Sequence, residues 1–235
     1  MEEKNIPYHV GIIMDGNGRW ATNKGKKRSA GHLQGSKMLE KLAIHAIKRG
    51  VKVLSVYAFS TDNFKRSKEE VDYLMDLFIK QFTSKMKKVE KEGIKVVFSG
   101  GRYPLRDDVL EAMDSITERT KNNENGILNI CLNYGGQEEI VDAAKKMAID
   151  LMDKVVTMDE IDKVSFNKYL YQNLPPMDLL IRTSGEYRIS NFMPYQIAYA
   201  EFYFTDTLFP DFDEIEFDKA IDSFNCRNRR FGSVK

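Results

Sequence analysis

Apolar positions gather into six short, nearly continuous runs, at residues 10–14, 51–59, 94–99, 127–132, 179–182 and 201–204, rich in Val, Ile, Leu and aromatic side chains. Runs of that length without polar alternation are the pattern of strands buried on both faces. Between them, apolar residues recur every three or four positions at 31–48, 67–91, 107–121, 138–153, 192–199 and 213–224, and this period predicts helices. In the second of these, Val71, Leu74, Met75, Phe78, Phe82, Met86 and Val89 share one face, and Ser67 with Glu70 three places on predicts a capping box. Strands alternating with helices predict an α/β fold: one domain with a six-stranded, mostly parallel central sheet flanked by helices. No internal repeat or low-complexity tract divides the chain. The polar stretch 61–68, TDNFKRSK, predicts a mobile flap over a site.

Composition narrows the class of function. The chain has 235 residues, 42% hydrophobic and 30% charged, as a soluble globular domain should. Its 36 basic and 35 acidic residues leave a net charge of +1, so no global excess exists to hold nucleic acid or an anionic membrane, and nucleic acid is not expected as a partner. Two cysteines, Cys131 and Cys226, are too few for a disulfide framework or a thiolate metal site and fit a reducing compartment. No segment reaches the ~20 apolar residues that cross a bilayer. With no secretory signal pattern at the N-terminus, the expected location is cytoplasmic.

Against that balance, local chemistry stands out. The first strand runs into Asp15-Gly16-Asn17-Gly18-Arg19-Trp20, an acid and two glycines at the carboxyl end of a buried strand, where ligands of open α/β sheets bind. Glycines there let the backbone approach a ligand, and amides at the start of a following helix can cradle phosphate oxygens. A carboxylate at that point suits Mg²⁺ held against a diphosphate, although a tight turn with a capping Asp explains the same residues. Residues 19–28 then contain Arg19, Lys24, Lys26, Lys27 and Arg28 and no acid, which favours an anion site over a solvated basic face. His32 follows as a diphosphate contact, a proton relay or a structural histidine. Further on, Arg182 ends a strand and Arg188 and Ser190 follow a glycine turn, so that two guanidinium groups and a hydroxyl are expected to converge on one anion. Glu201 opens the last strand and is expected to face Asp15 as a second carboxylate on the metal side.

Taken together, HVGIIMDGNGRWA with Arg28 and His32, then FSTDNFKR at 59–66, then RTSGEYRISNF at 182–192 with Glu201, in this order and spacing, resemble the cis-prenyltransferases that make undecaprenyl diphosphate. The likeness runs from His9 to the closing Arg230-Phe231-Gly232. Departures are few: Phe64 where the family usually has Trp, Ser67 where it has Pro, and Tyr187 where it often has Gln. The resemblance implies a homodimer that condenses isopentenyl diphosphate repeatedly onto an allylic diphosphate such as farnesyl diphosphate. It implies Mg²⁺ as cofactor, a new Z double bond each cycle, and a hydrophobic tunnel for a product that serves as lipid-carrier precursor in cell-wall synthesis. Transient contact with a membrane surface would release that product. By the same likeness, Asp15 and Glu201 are the metal side. Gly16, Asn17, Gly18, Arg19, Arg28 and His32 are the allylic diphosphate cradle, while Arg182, Arg188 and Ser190 form the isopentenyl diphosphate pocket. Ser60, Asn63, Phe64, Arg66 and Glu70 belong to the flap, where Asn63 joins Asp15 in a catalytic role. Trp20 and Phe59 pack against the first isoprene units, and Arg230 and Gly232 reach the partner's site. Asn17, His32, Ser60 and the substrate diphosphate are all candidates for proton acceptor.

Two other readings compete. A phosphohydrolase of the haloacid dehalogenase type also starts with a strand ending in Asp, but it needs a second acid where Asn17 stands. A non-catalytic accessory subunit would lack the motif residues, and Asp15, Arg28, Arg182 and Glu201 are all present.

Overall fold

The computed structural model describes residues 5–227. Among them the six runs form one sheet of strands β1 (His9–Ile13), β2 (Val53–Ser60), β3 (Ile94–Ser99), β4 (Gly126–Tyr134), β5 (Leu179–Arg182) and β6 (Glu201–Phe204). The order across the sheet is β3-β4-β2-β1-β5-β6, and every pairing is parallel, so the expected mostly parallel sheet is entirely so. The chain leaves β1 toward β2 on one side and leaves β5 toward β6 on the other. These adjacent strands therefore splay their following loops apart and open a crevice at their carboxyl ends.

Eight helices complete the described fold: α1 (Asn17–Asn23), α2 (Arg28–Lys48), α3 (Lys68–Lys80), α4 (Lys87–Lys91), α5 (Asp107–Thr120), α6 (Gly136–Met152), α7 (Lys163–Asn167) and α8 (Glu214–Asn225). One face of the sheet, carrying Val10, Ile12, Leu54, Val56, Leu128, Ile130, Leu179 and Ile181, packs against buried residues of α2, α3, α5 and α8. The other face, with Ile13, Val53, Cys131 and Leu180, lies under Leu174, Met177, Phe192 and Met193 of an irregular segment. The alternation along each strand sorts side chains between two layers of cover, as a sandwiched parallel sheet requires. No described helix is long and apolar enough to cross a membrane.

Three expectations need correction. The stretch 192–199 is a series of turns and not a helix, because Asn191 and Met193 adopt left-handed φ angles of 64° and 50° and Pro194 supplies no amide hydrogen. The continuous helix expected over 67–91 is broken into α3 and α4 by a π-helical turn at Gln81–Lys85. Ser67 does cap α3 by accepting from the Glu70 amide at 3.3 Å, but the Glu70 carboxylate turns away to arginines, so the reciprocal half of the box is missing.

Candidate active site

Asp15 follows β1 at the crevice, and Thr183, the first residue after β5, clasps its backbone. The Thr183 Oγ1 accepts from the Asp15 amide at 3.0 Å and donates to the Asp15 carbonyl at 2.7 Å. Gly16, at φ 97°, turns the chain into α1, and its amide donates to Asp15 Oδ1 at 2.6 Å. A side chain at position 16 would be strained by that φ and would also meet Leu208 and Ser184. Gly18 has a different duty: a Cβ there would lie 2.8 Å from the Arg28 guanidinium, so its absence gives Arg28 its place over α1.

The carboxylate of Asp15 is the hub between the two loops. Arg182, almost fully buried, donates from Nη2 to Asp15 Oδ2 at 3.0 Å and from Nη1 to Ser190 Oγ at 2.8 Å and to the Arg188 carbonyl. Arg19 Nη2 lies 3.6 Å from Asp15 Oδ1 and 3.1 Å from Glu186, whose other oxygen pairs with Arg188. Arg182 and Ser190 thus converge as expected, whereas the Arg188 guanidinium points outward to Glu186. The loop that carries them holds Ser184, Ser190, Asn191 and Met193 at positive φ, and such strain persists only where the surroundings enforce it.

Opposite this hub, α2 and α3 bring a second charge cluster to the same cleft. Glu70 Oε1 accepts from Arg66 at 3.0 Å, and its Oε2 lies 3.5 Å from Arg28 Nε. Burial opposes its charge, but Arg66 and Arg28 hold its carboxyl below the usual range. His32 Nε2 lies 3.7 Å from Glu70, too far for a hydrogen bond, and is buried without a partner. Burial, with Arg66 and Arg28 beside it, pushes the His32 pKa down to about 4, so the ring is neutral near pH 7. The flap residues between these clusters are folded: Thr61–Lys65 is a 3₁₀ helix in which Ser60 and Asn63 cap each other, the Ser60 amide donating to Asn63 Oδ1 at 3.1 Å.

Two polar hollows result. One of about 210 Å³ is lined by Asp15, Gly16, Asn17, Gly18, Arg19, Arg28, His32 and Arg66. The other, of about 350 Å³, adds Phe59, Ser60, Asn63, Arg182 and Ser190. Behind them an apolar cavity of about 70 Å³ opens between α2, α3 and the sheet, lined by Leu39, Ala58, Leu77, Phe78, Phe82 and Phe209 among others. Met14, Asn17 and His32 line all three spaces, so the cationic cleft and the apolar cavity meet at these residues. Phe59 is buried edge-on against Phe64 and Phe78 beside that junction.

The structure brings most of the expected groups to one cleft and puts two of them elsewhere. Register puts Glu201 opposite Leu179, and Leu179 opposite Val10, at the amino end of the sheet. Asp15 is five residues further on, roughly 16 Å along the strands, so Glu201 cannot share a metal with it inside one chain. Glu201 instead accepts from Arg227 at 2.9 Å. Trp20 lies apart from the cavity: its Nε1 donates to Asp211 at 2.7 Å and Lys24 sits 4.1 Å over its ring. Arg230 and Gly232 are outside the described residues. Conversely, Thr183 and Glu186 were passed over, although both stand inside the RTSGE run that drew attention to Arg182.

The chain has relatives of known name along nearly its whole length. The prenyltransferase family model described as undecaprenyl diphosphate synthase matches residues 13–232. The chain is 49% identical to the isoprenyl transferase of Fusobacterium nucleatum over 99% of both chains, and 47% identical to that of Streptococcus mutans over 97% of this chain and 94% of the other. Among solved structures, lavandulyl diphosphate synthase from Lavandula x intermedia, in complex with dimethylallyl diphosphate, superposes with a TM-score of 0.92 at 35% identity, covering 97% of this chain and 99% of that one. A probable undecaprenyl diphosphate synthase from Campylobacter jejuni gives 0.81 at 31%, covering 97% and 100%. With its Asp15 hub at the sheet's switch point and kinship along nearly its whole length, the chain belongs to the undecaprenyl diphosphate synthase family of cis-prenyltransferases.

Proposed function

We propose that this prenyltransferase adds isopentenyl diphosphate repeatedly to an allylic diphosphate such as farnesyl diphosphate and makes an undecaprenyl-length Z-polyprenyl diphosphate for cell-wall synthesis. The observation that carries the reading is the meeting of a cationic cleft with an apolar cavity at Asn17 and His32. A substrate with a diphosphate head and a hydrocarbon tail has those two requirements at its reacting carbon. Arg19, Arg28 and the α1 amides hold the allylic diphosphate, and Arg182, Arg188 and Ser190 hold the isopentenyl diphosphate. The allylic C–O bond breaks with its electron pair going to the diphosphate, the isopentenyl alkene forms the new C–C bond, and the adjoining carbon gives its proton to one of the candidate acceptors, Asn17, His32, Ser60 or the substrate diphosphate. Ser60, Asn63 and Arg66 close over the reacting ends and exclude water.

Asp15 fits one Mg²⁺, since that ion takes one or two carboxylates and fills its shell with phosphate oxygens and water. When bound it would supply charge neutralisation to the departing diphosphate. In a homodimer, Arg230 and Gly232 complete the partner's site. Arg227, which leads into them, is tied to Glu201 and to the Phe202 carbonyl at the end of the sheet remote from Asp15. The test is incorporation of labelled isopentenyl diphosphate with farnesyl diphosphate and Mg²⁺. A long Z-polyprenyl diphosphate is expected, and phosphate-ester hydrolysis without chain growth would overturn the reading.

A further inference from the structure

Glu70 places a carboxylate where an anion is to bind, as Glu186 does beside Arg19 and Arg188, but from a helix on the opposite wall of the cleft. It occupies the third position of α3, behind Ser67, where a glutamate ordinarily folds back onto the helix start. Here the backbone half of that cap forms and the side chain is diverted to Arg66 at 3.0 Å and Arg28 at 3.5 Å, beside His32. One turn along the same face, the Tyr73 hydroxyl donates to the Ser29 carbonyl at 3.0 Å, so α3 is latched to α2 at Arg28 and Ser29 together. The two guanidinium groups are therefore already paired with an internal anion, Arg66 by a hydrogen bond and Arg28 by an ion pair.

We infer that Glu70 is an internal competitor for the diphosphate: it yields Arg28 and Arg66 to the incoming group and reclaims them when inorganic pyrophosphate must leave. The inference rests on the proposed function, and it answers a need peculiar to repeated condensation. Each cycle leaves a pyrophosphate in the cradle that the next allylic diphosphate has to occupy. A group of arginines with no competing anion would retain it. A tethered carboxylate shortens the stay, because as the pyrophosphate loosens it meets the same donors at high effective concentration.

Calorimetric titration of inorganic pyrophosphate into the full-length chain at constant Mg²⁺ tests this, with Glu70→Gln and Glu70→Ala beside the wild type. Both variants should bind pyrophosphate about tenfold more tightly, with pyrophosphate inhibiting turnover at correspondingly lower concentration. A gain of affinity cannot come from damage to the fold. If wild type binds pyrophosphate and the variants bind it equally or more weakly, Glu70 is a substrate contact or a structural link and the inference fails alone. If wild type itself shows no binding at millimolar pyrophosphate, the diphosphate cradle fails and the inference with it.

Discussion

Of the buried polar clusters that touch the sheet among the described residues, one that crosses it is complete and the one at its carboxyl edge is not. Across β1, β2, β4 and β3 runs a chain in which His9 Nδ1 donates to the Pro175 carbonyl at 2.8 Å and Ser55 donates to His9 Nε2 at 2.8 Å. Asn129 donates to Ser55 at 3.0 Å and accepts from Ser99 at 2.9 Å. Since a carbonyl can only accept, the Pro175 contact fixes the His9 tautomer and with it the direction of every bond in the chain. At the carboxyl edge the accounting is open: Asn17 Oδ1, His32 Nε2, Arg182 Nε and Ser184 Oγ are buried with no hydrogen-bond partner, while the other such atoms among the described residues, on Gln196 and Asn225, line none of the three spaces of the site. His9 and His32 both have their pKa lowered to about 4, the first by burial alone and the second by burial with Arg66 and Arg28. A depressed pKa therefore does not separate the two, whereas the count of partners does. Buried groups with every bond made hold the structure, and it is the gathering of four unpartnered atoms about one cleft, more than any single one, that fits a place where a ligand supplies the rest.

Substitutions should divide along that line. Asp15→Ala should lower turnover at least ~10²-fold with an unchanged circular dichroism spectrum, the size expected for lost transition-state stabilisation. Near-normal turnover would remove Asp15 from the mechanism. His9→Phe should do the reverse, costing roughly 2–3 kcal/mol in denaturant unfolding at pH 7 by stranding Ser55 and Pro175, with kcat within about threefold of wild type. The same histidine sets a pH dependence. Its unfolded pKa of 6.5 lies above its folded value of about 4. Its contribution, on the order of 3 kcal/mol, is thus fully present above pH 6.5 and lost as pH falls toward 4. Unfolding measured across that window should show a shallower slope in His9→Phe, and an unaltered slope would contradict the buried neutral ring. His32→Ala should lower turnover about tenfold while leaving the unfolding midpoint within ~1 kcal/mol, since no bond to the ring is lost.

Smaller effects sharpen the open side of the comparison. Coexpressed Asp15→Ala and Arg230→Ala chains, each poorly active alone, should recover to about a quarter of wild-type activity, because half the dimers are mixed and each has one whole site. Confirmed mixed dimers with no recovery would place Arg230 in its own chain's site. Ala58→Leu should shorten the product distribution read by chromatography, as a larger side chain narrows the cavity that Ala58 lines.

Much of this was legible in the chain because it is local. A buried strand ending in Asp-Gly-Asn-Gly carries its strand propensity, its turn and its acid in adjacent letters, and all six strands fall where apolar runs predict them. Glu201 was misread because register between β6, β5 and β1 is a relation among three distant segments, and no local pattern reports it. The turns at 192–199 were hidden for a related reason: their apolar spacing is helical, yet positive φ at Asn191 and Met193 is set by packing beneath the sheet. The residues alone show Glu70 as a cap and the resemblance puts it in the flap, but only the positions of Arg66 and Arg28 in space reveal what draws its carboxylate away.

Trp20 is the one tryptophan of the chain. It sits on α1, whose first residues line the polar cleft, yet its buried indole is directed to Asp211 and Lys24 and lines none of the three spaces of the site. Its ultraviolet emission is accordingly an optical gauge of α1 against the 209–211 segment, free of direct quenching by a ligand. A spectral shift on adding a diphosphate would record displacement of that helix, in an unlabelled protein and with no second indole to confuse the signal.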